Sequence, residues 1–248
     1  MDCPKISIIT PVFNGAKTIS DTLASVSMQS YKNIEHIIVD GLSTDKTIDI
    51  VKKYENKNMK IISEPDSGVY DALNKGVKLA SGDIIGILHS DDLYADKDVV
   101  SKISEHFSDI STDGVYTDLV YVQKKDTNKI FRHWESCDFC PDLLKKGWMP
   151  PHPTVFLRKS IYEKLGDFDT SYKIAADYDF MLRIFSTGAN LKYLHFISYK
   201  MRAGGMTNRS ISNIICKSRE NLRTFKKYNI GSFSALFYKN FSKVEQFF

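Results

Sequence analysis

The chain has 248 residues, 42% hydrophobic and 26% charged, which is ample for a real core and ordinary for a globular protein, without low-complexity tracts or a fixed-period repeat. The net charge of +4 is unevenly placed, because Arg209 to Phe248 holds eight Lys/Arg against two Asp/Glu; this argues against a nucleic-acid surface on the main body and makes the tail the basic element. No apolar run approaches the length of a membrane span, the start does not read as a signal peptide, and four cysteines suit a reducing compartment, so a cytoplasmic protein is expected.

In chain order, Ile6–Thr10 reads as a strand stopped by Pro11, and Ala16, Ile19, Leu23 and Val26 follow at helical spacing. Ile34–Val39 is a second strand ending at Asp40-Gly41, with Ser43 or Thr44 expected to cap a helix marked by Ile48 and Val51. Met59–Ser63 is a third strand, broken by Pro65. Asp66 or Ser67 is then expected to cap a helix carrying Val69, Ala72, Leu73, Gly76, Val77 and Ala80 on one face, ended by Gly82. The fourth strand, Asp83 to Leu88, runs into His89-Ser90-Asp91-Asp92. Alternating strand and helix predicts an α/β fold on a doubly wound, mostly parallel sheet.

On that scheme Phe13, Asp40, Asp66, Asp91 and Asp92 all fall at the carboxyl edge of the sheet, where open α/β sheets bind ligands. An aromatic face and a carboxylate acceptor suit a nucleobase and ribose. Paired carboxylates suit a divalent cation bridged to a diphosphate. A solvated turn with Asp92 capping the next helix accounts for the acid pair equally well. Neither a Gly-x-Gly-x-x-Gly turn nor a P-loop follows the first strand, so phosphate charge would have to be met by a metal.

Ile8-Ile9-Thr10-Pro11-Val12-Phe13-Asn14 and Val39-Asp40-Gly41-Leu42-Ser43-Thr44-Asp45-Lys46-Thr47 resemble the start of family-two glycosyltransferases of the GT-A fold. Glu64 to Gly76 resembles a signature of the branch that builds bacterial surface polysaccharides, such as O-antigen, capsule or colanic acid. His89-Ser90-Asp91-Asp92 stands where that family has its metal-binding acid motif. The resemblance, over roughly residues 5 to 205, implies inverting transfer from a nucleotide sugar, usually a UDP-sugar, aided by Mn²⁺ or Mg²⁺. It implies Pro11, Phe13, Asn14, Asp40 and Asp66 as nucleoside-side contacts, Asp92 as the main metal ligand and Asp91 as a sugar or ribose contact. Asn74 and Lys75 would lie on the helix lining the donor site.

In the second half, Val115–Val122 (interrupted by Asp118) and Ile130-Phe131 read as strands in a less regular region. Cys137-x-x-Cys140, with His133 and His152 nearby in sequence, lacks the second pair a zinc site usually needs. Met149 to Leu157 sets three prolines around His152, a rigid turn that could shape an acceptor pocket or simply pack. Asp177 opens a helix buried through Phe180 or Met181, Ile184 and Phe185 and closed by Gly188. The resemblance makes Asp177 the general base, but Ala176 replaces the acid usually before it, leaving Asp179 as the alternative; Asp179, Arg183 and His152 are expected on the acceptor side. Lys200 and Arg202 are candidate phosphate partners on a glycine loop, with surface solvation an equal account of either.

The expected organisation is residues 1–205 as the transferase domain (1–95 the nucleotide half, 96–205 the acceptor half) and 206–248 as a basic amphipathic helical tail. In that tail Phe233, Leu236 or Phe237, Phe241 and Val244 keep helical spacing. It could lie on the inner face of the plasma membrane, pack on the body or meet a second copy; a homodimer is left open. A polyprenyl-diphosphate-linked saccharide is the acceptor the family branch implies. A sugar-phosphate nucleotidyltransferase and a non-catalytic binding relic are the competing readings.

Overall fold

Strand and helix alternate through the first half as the periodicity predicts: β1 (Ile6–Val12), α1 (Ile19–Ser27), β2 (Ile34–Asp40), α2 (Thr47–Lys53), β3 (Met59–Ser63), α3 (Val69–Leu79) and β4 (Ile84–Ile87). The structure, a computed structural model, describes residues 3–204 and 211–230. Ile9 of β1 pairs with Ile37 of β2 on one side and Ile87 of β4 on the other, all parallel. Every residue of β1 is buried, as expected for a strand covered on both faces. Ile9, Ile37, Val39 and Ile87 face α3, whereas Ile6, Ile8, Val12 and Ile38 face the opposite layer with Leu23 and Val26 of α1. Glycine is required at position 76 because a β-carbon there would collide with Ile9, so α3 packs close on β1.

The second half supplies β5 (Leu93–Tyr94), α4 (Val99–Glu105), β6 (Gly114–Val122), β7 (Ile130–Trp134), α5 (Pro141–Lys145), β8 (Phe156–Arg158), α6 (Lys159–Leu165), α7 (Ala176–Ser186), β9 (Leu191–Arg202) and α8 (Ile211–Lys227). Among the described residues one sheet runs β3-β2-β1-β4-β8-β6-β9-β5, with β7 attached to β6. The parallel set is extended by β8, antiparallel to both β4 and β6, and by β6 and β9, parallel to each other. The interruption expected at Asp118 is a register shift in the β6–β9 ladder. The helix opened by Asp177 is α7, with Phe180, Met181, Ile184 and Phe185 buried and Gly188 at φ 71° behind it.

Several local expectations are corrected. Pro11 does not stop β1: its nitrogen points toward β4, which has already ended, so no ladder bond is lost. Ser43 and Thr44 do not cap α2; Asp45 takes that part by accepting the Thr47 N–H at 2.9 Å. Gly68, at φ 120°, precedes α3 instead of an Asp66 or Ser67 cap, and α3 ends at Leu79, before Gly82. Asp92 caps no helix, because β5 follows it.

The part of the basic tail within the described residues is α8, and it packs on the body. Phe225 is fully buried in the main core, with Leu222 and Tyr228 against the same cluster. Among the described residues no helix is long and apolar enough to cross a membrane. Phe233, Leu236, Phe237, Phe241 and Val244 lie outside the described residues.

Candidate active site

The loops after β1, β2 and β3 meet at the carboxyl edge of the sheet. Asp40, with no exposed surface, accepts through Oδ2 from the Ser43 N–H (3.0 Å) and the Ser63 hydroxyl (2.7 Å), while its Oδ1 has no partner among the described residues. Gly41 lacks a side chain because the Asp66 carboxylate occupies that space, so Asp40 and Asp66 are neighbours. Phe13 is 64% exposed beside them, following the buried Pro11. Asn14 and Leu42 both sit in the left-handed region, at φ 50° and 60°, a costly conformation for leucine that marks a constrained loop.

Three expected donor-site groups are otherwise engaged. The Asn14 side chain accepts the Thr44 N–H at 2.9 Å and its own N–H donates to Ser43 Oγ at 2.8 Å, tying the first two loops together. Asn74 is 7% exposed and exchanges two hydrogen bonds of 2.9 Å with the Phe168 backbone. Lys75 donates to the Pro65 carbonyl (2.6 Å) and pairs with Glu64 (2.9 Å). Each of these side chains ties its own segment to another part of the backbone.

The acid pair is asymmetric. Asp92 is 2% exposed and accepts the Arg202 N–H on Oδ1 at 3.0 Å. Burial, and then the neighbouring Asp91 charge, push its carboxyl well above the usual range. Asp91 is half-buried, so it is the more open of the two. Arg202, expected on a loop as a phosphate partner, is instead buried at the end of β9 (5% exposed). Its guanidinium donates to the Asp91 carbonyl at 2.7 Å and pairs with Asp21. Lys200 also belongs to β9, opposite Leu93 and Val120; the loop from Gly205 onward lies outside the described residues.

Two adjacent carboxylates, one buried and driven toward protonation and one open, form a donor set that suits a hard divalent cation. Mg²⁺ and Mn²⁺ take one or two carboxylates and complete their shells with water and phosphate oxygens. No ready-made group of three or more His, Cys, Asp or Glu occurs among the described residues. Cys137 and Cys140 are exposed and free, and His133 stands 3.8 Å from Asp118.

Asp177, in the first turn of α7, has a side chain 18% exposed and accepts from His152 Nδ1 at 3.0 Å. From α3, Tyr70 donates to the Ile174 carbonyl at 2.6 Å and places its hydroxyl 3.3 Å from Asp177 Oδ1. The His152 ring lies edge-on to His89, centroids 5.8 Å apart, so the turn carrying the acid pair and the start of α7 meet through two imidazoles. Burial, and then His152, hold His89 down at about 4, leaving it neutral at pH 7. Tyr70 was legible only as part of a motif; nothing in its spacing announced a bond across the fold.

Asp179 and Arg183 do not take the expected acceptor-side places. Asp179 has no exposed surface and pairs with Arg183 (2.9 Å) and Lys227 of α8 (2.8 Å). Arg183 also donates to the carbonyls of Leu165 (2.8 Å) and Asp167 (3.0 Å). Of the two candidate bases, Asp177 is the one with open surface.

Comparison with known proteins agrees with this architecture. A PGL/p-HBAD biosynthesis glycosyltransferase from Mycobacterium bovis is 32% identical over 215 residues, 84% of this chain and 81% of the relative. Chondroitin synthase of Pasteurella multocida is 30% identical over 85% of this chain but only 22% of its own length. Among solved structures, a mannosyltransferase from Pyrobaculum calidifontis, in complex with GDP-Man and Mn²⁺, aligns with TM-score 0.69 at 20% identity over 97% of this chain and 70% of that one. Staphylococcus aureus TarS residues 1–349 in complex with UDP align at 0.66 and 20% identity, over 93% and 68%. These likenesses establish a GT-A type fold. The model of the family described as "Glycosyl transferase family 2" matches residues 7–180, and with the sheet edge just described it makes this chain a glycosyltransferase belonging to family 2.

Proposed function

We propose that this enzyme transfers a hexosyl group from a UDP-sugar to a saccharide carried on a polyprenyl diphosphate, with inversion at the anomeric carbon, during assembly of a bacterial surface polysaccharide. The observation that carries the reading is the junction of Asp177, through His152, with the His89–Asp92 turn, at the same sheet edge as Phe13 and Asp40. Phe13 offers an exposed aromatic face to the uracil, and Asp40 and Asp66 are the acceptors for its N–H and the ribose hydroxyls. The acid pair shares the metal role: Asp91 is the more open carboxylate, and the Arg202 N–H on Oδ1 holds Asp92. A divalent cation on this pair would supply positive charge for the departing diphosphate.

Asp177 takes the proton of the acceptor hydroxyl as that oxygen attacks the anomeric carbon from the face opposite the diphosphate. The bond from that carbon to the diphosphate oxygen breaks in the same displacement, so an α-linked donor yields a β-glycoside. His152 and Tyr70 fix the carboxylate's orientation, and neutral His89 adds no positive charge that would compete for it. Such an acceptor would be met at the inner face of the plasma membrane.

Screening UDP-sugars for metal-dependent turnover on a lipid-linked diphosphate saccharide tests the reading. Asp177→Asn is expected to lower kcat by about 10²- to 10⁴-fold with UDP affinity kept. Asp91→Ala is expected to abolish the metal dependence of UDP binding. Full turnover in Asp177→Asn would remove Asp177 from the mechanism, and a binding relic would show nucleotide affinity with no turnover on any donor.

A further inference from the structure

Helix α8 enters this site from outside every motif. Glu220 reaches across to the segment before α7, where its carboxylate accepts three consecutive backbone N–H groups: Lys173 at 2.8 Å, Ile174 at 3.0 Å and Ala175 at 2.9 Å. Ala175 is the residue before the first turn of α7 and offers no capping side chain. Only the Ala175 N–H belongs to the helix start, as its N-cap; the other two lie in the segment leading into it, so Glu220 anchors the entry to α7 and places negative charge near a helix start, where it is favoured. The opposite side of the same segment is held by Tyr70 on the Ile174 carbonyl.

Further along, α8 is locked in register over α7. Lys227 pairs with Asp179 at 2.8 Å, Thr224 donates to the Tyr172 hydroxyl at 3.2 Å, and the Arg223 guanidinium stacks on the Tyr172 ring at 4.3 Å. The strand of contacts runs from Glu220 to the 173–175 backbone and so to Asp177, two residues on. We propose that Glu220 is a positioning residue for the transfer reaction: by gripping the 173–175 backbone it sets where the Asp177 carboxylate points. This rests on Asp177 being the base.

The test compares Glu220→Ala and Glu220→Gln in the full chain, each alone and combined with Asp177→Asn, measuring kcat, KM for donor and acceptor, and UDP affinity. A misplacement of the base by about an ångström costs on the order of 100-fold in rate. Glu220→Ala is therefore expected to lower kcat by about 10- to 100-fold, with donor KM and UDP affinity unchanged. Glu220→Gln keeps the length and one acceptor oxygen, and is expected to restore part of that loss. In the double variants kcat should equal that of Asp177→Asn alone, because a positioning residue has nothing left to position. An unchanged kcat in both single variants, a matching loss of UDP affinity, or losses that multiply in the double variants would each overturn the inference. Should Glu220→Ala not fold, Glu220→Gln carries the same readouts. A failure of the base reading is separate, since it shows as full turnover in Asp177→Asn itself.

Discussion

The two halves of the sheet deliver functional groups to one edge by different means. In residues 6–87 the candidate groups Phe13, Asp40 and Asp66 stand at the end of a strand of a parallel unit or within three residues of it, so the sheet itself places them, and neighbouring loops tie them down through Asn14, Ser43 and Ser63. In the second half, Asp177 stands on a helix start, which no ladder fixes. It is held instead by Tyr70 of α3, His152 of a turn before β8, and α8 through the segment before it. Damage to the first half should therefore stay local, whereas damage around α7 should spread to both stability and turnover.

The largest contrast is expected at Asp179. Its carboxylate is fully buried between Arg183 and Lys227, and removing one member of a buried ionic cluster leaves the others uncompensated, at about 3–5 kcal/mol. Asp179→Ala should lower the urea midpoint accordingly and reduce kcat, while the residual folded protein keeps its UDP affinity. Equal losses of UDP affinity and kcat would break the division between the halves.

Phe13 gives the opposite pattern at smaller size. Its ring is 64% exposed, so Phe13→Ala should leave thermal stability where it is. Losing a stacked base is worth about 1–3 kcal/mol, and titration with UDP should show that loss. A fall in melting temperature with UDP affinity intact would mean the ring packs rather than stacks.

The same division explains what was legible in the sequence. Hydrophobic period and turn residues gave the strand–helix alternation of the first half, because each element there is long enough to show its period and pairs with a close neighbour in the chain. A short strand after the prolines of 149–153 is legible, but its place between β4 and β6 is not, because the pairing spans distant parts of the chain. Asp40 and Asp177 stand out in the sequence through the family resemblance, because a carboxylate at an element's edge reads equally as a turn or cap residue. A polar side chain near a motif looks the same in sequence whether it serves a ligand or the backbone of a far loop, as Asn14, Asn74 and Arg202 do in the fold. Glu220 sits unremarked on a basic helix, and only the fold brings it to the 173–175 backbone.

The smallest effect separates the edges of the sheet rather than its halves. His36 lies in β2 away from the candidate site, 5% exposed, with its Nε2 2.9 Å from Thr10 Oγ1, and burial lowers its pKa from 6.5 to about 3. Below pH 6.5 the unfolded chain takes up a proton that the folded chain refuses, so this contribution is fully present above that pH and is lost as pH falls toward about 3. Between pH 7 and 5.5 the loss from His36 is about 1 kcal/mol. His89, held at about 4 beside the candidate site, adds a loss of the same sign over the same interval. His36→Gln should therefore remove about 1 kcal/mol of the loss in stability between pH 7 and 5.5. It should leave kcat at pH 7 unchanged, because the His36 ring bonds to Thr10 within the sheet, away from Asp177 and His152. If the slope is unaltered, His36 is protonated in the folded chain and the buried contact with Thr10 opens in solution; if kcat moves as well, the edge that carries no candidate group is coupled to the one that does.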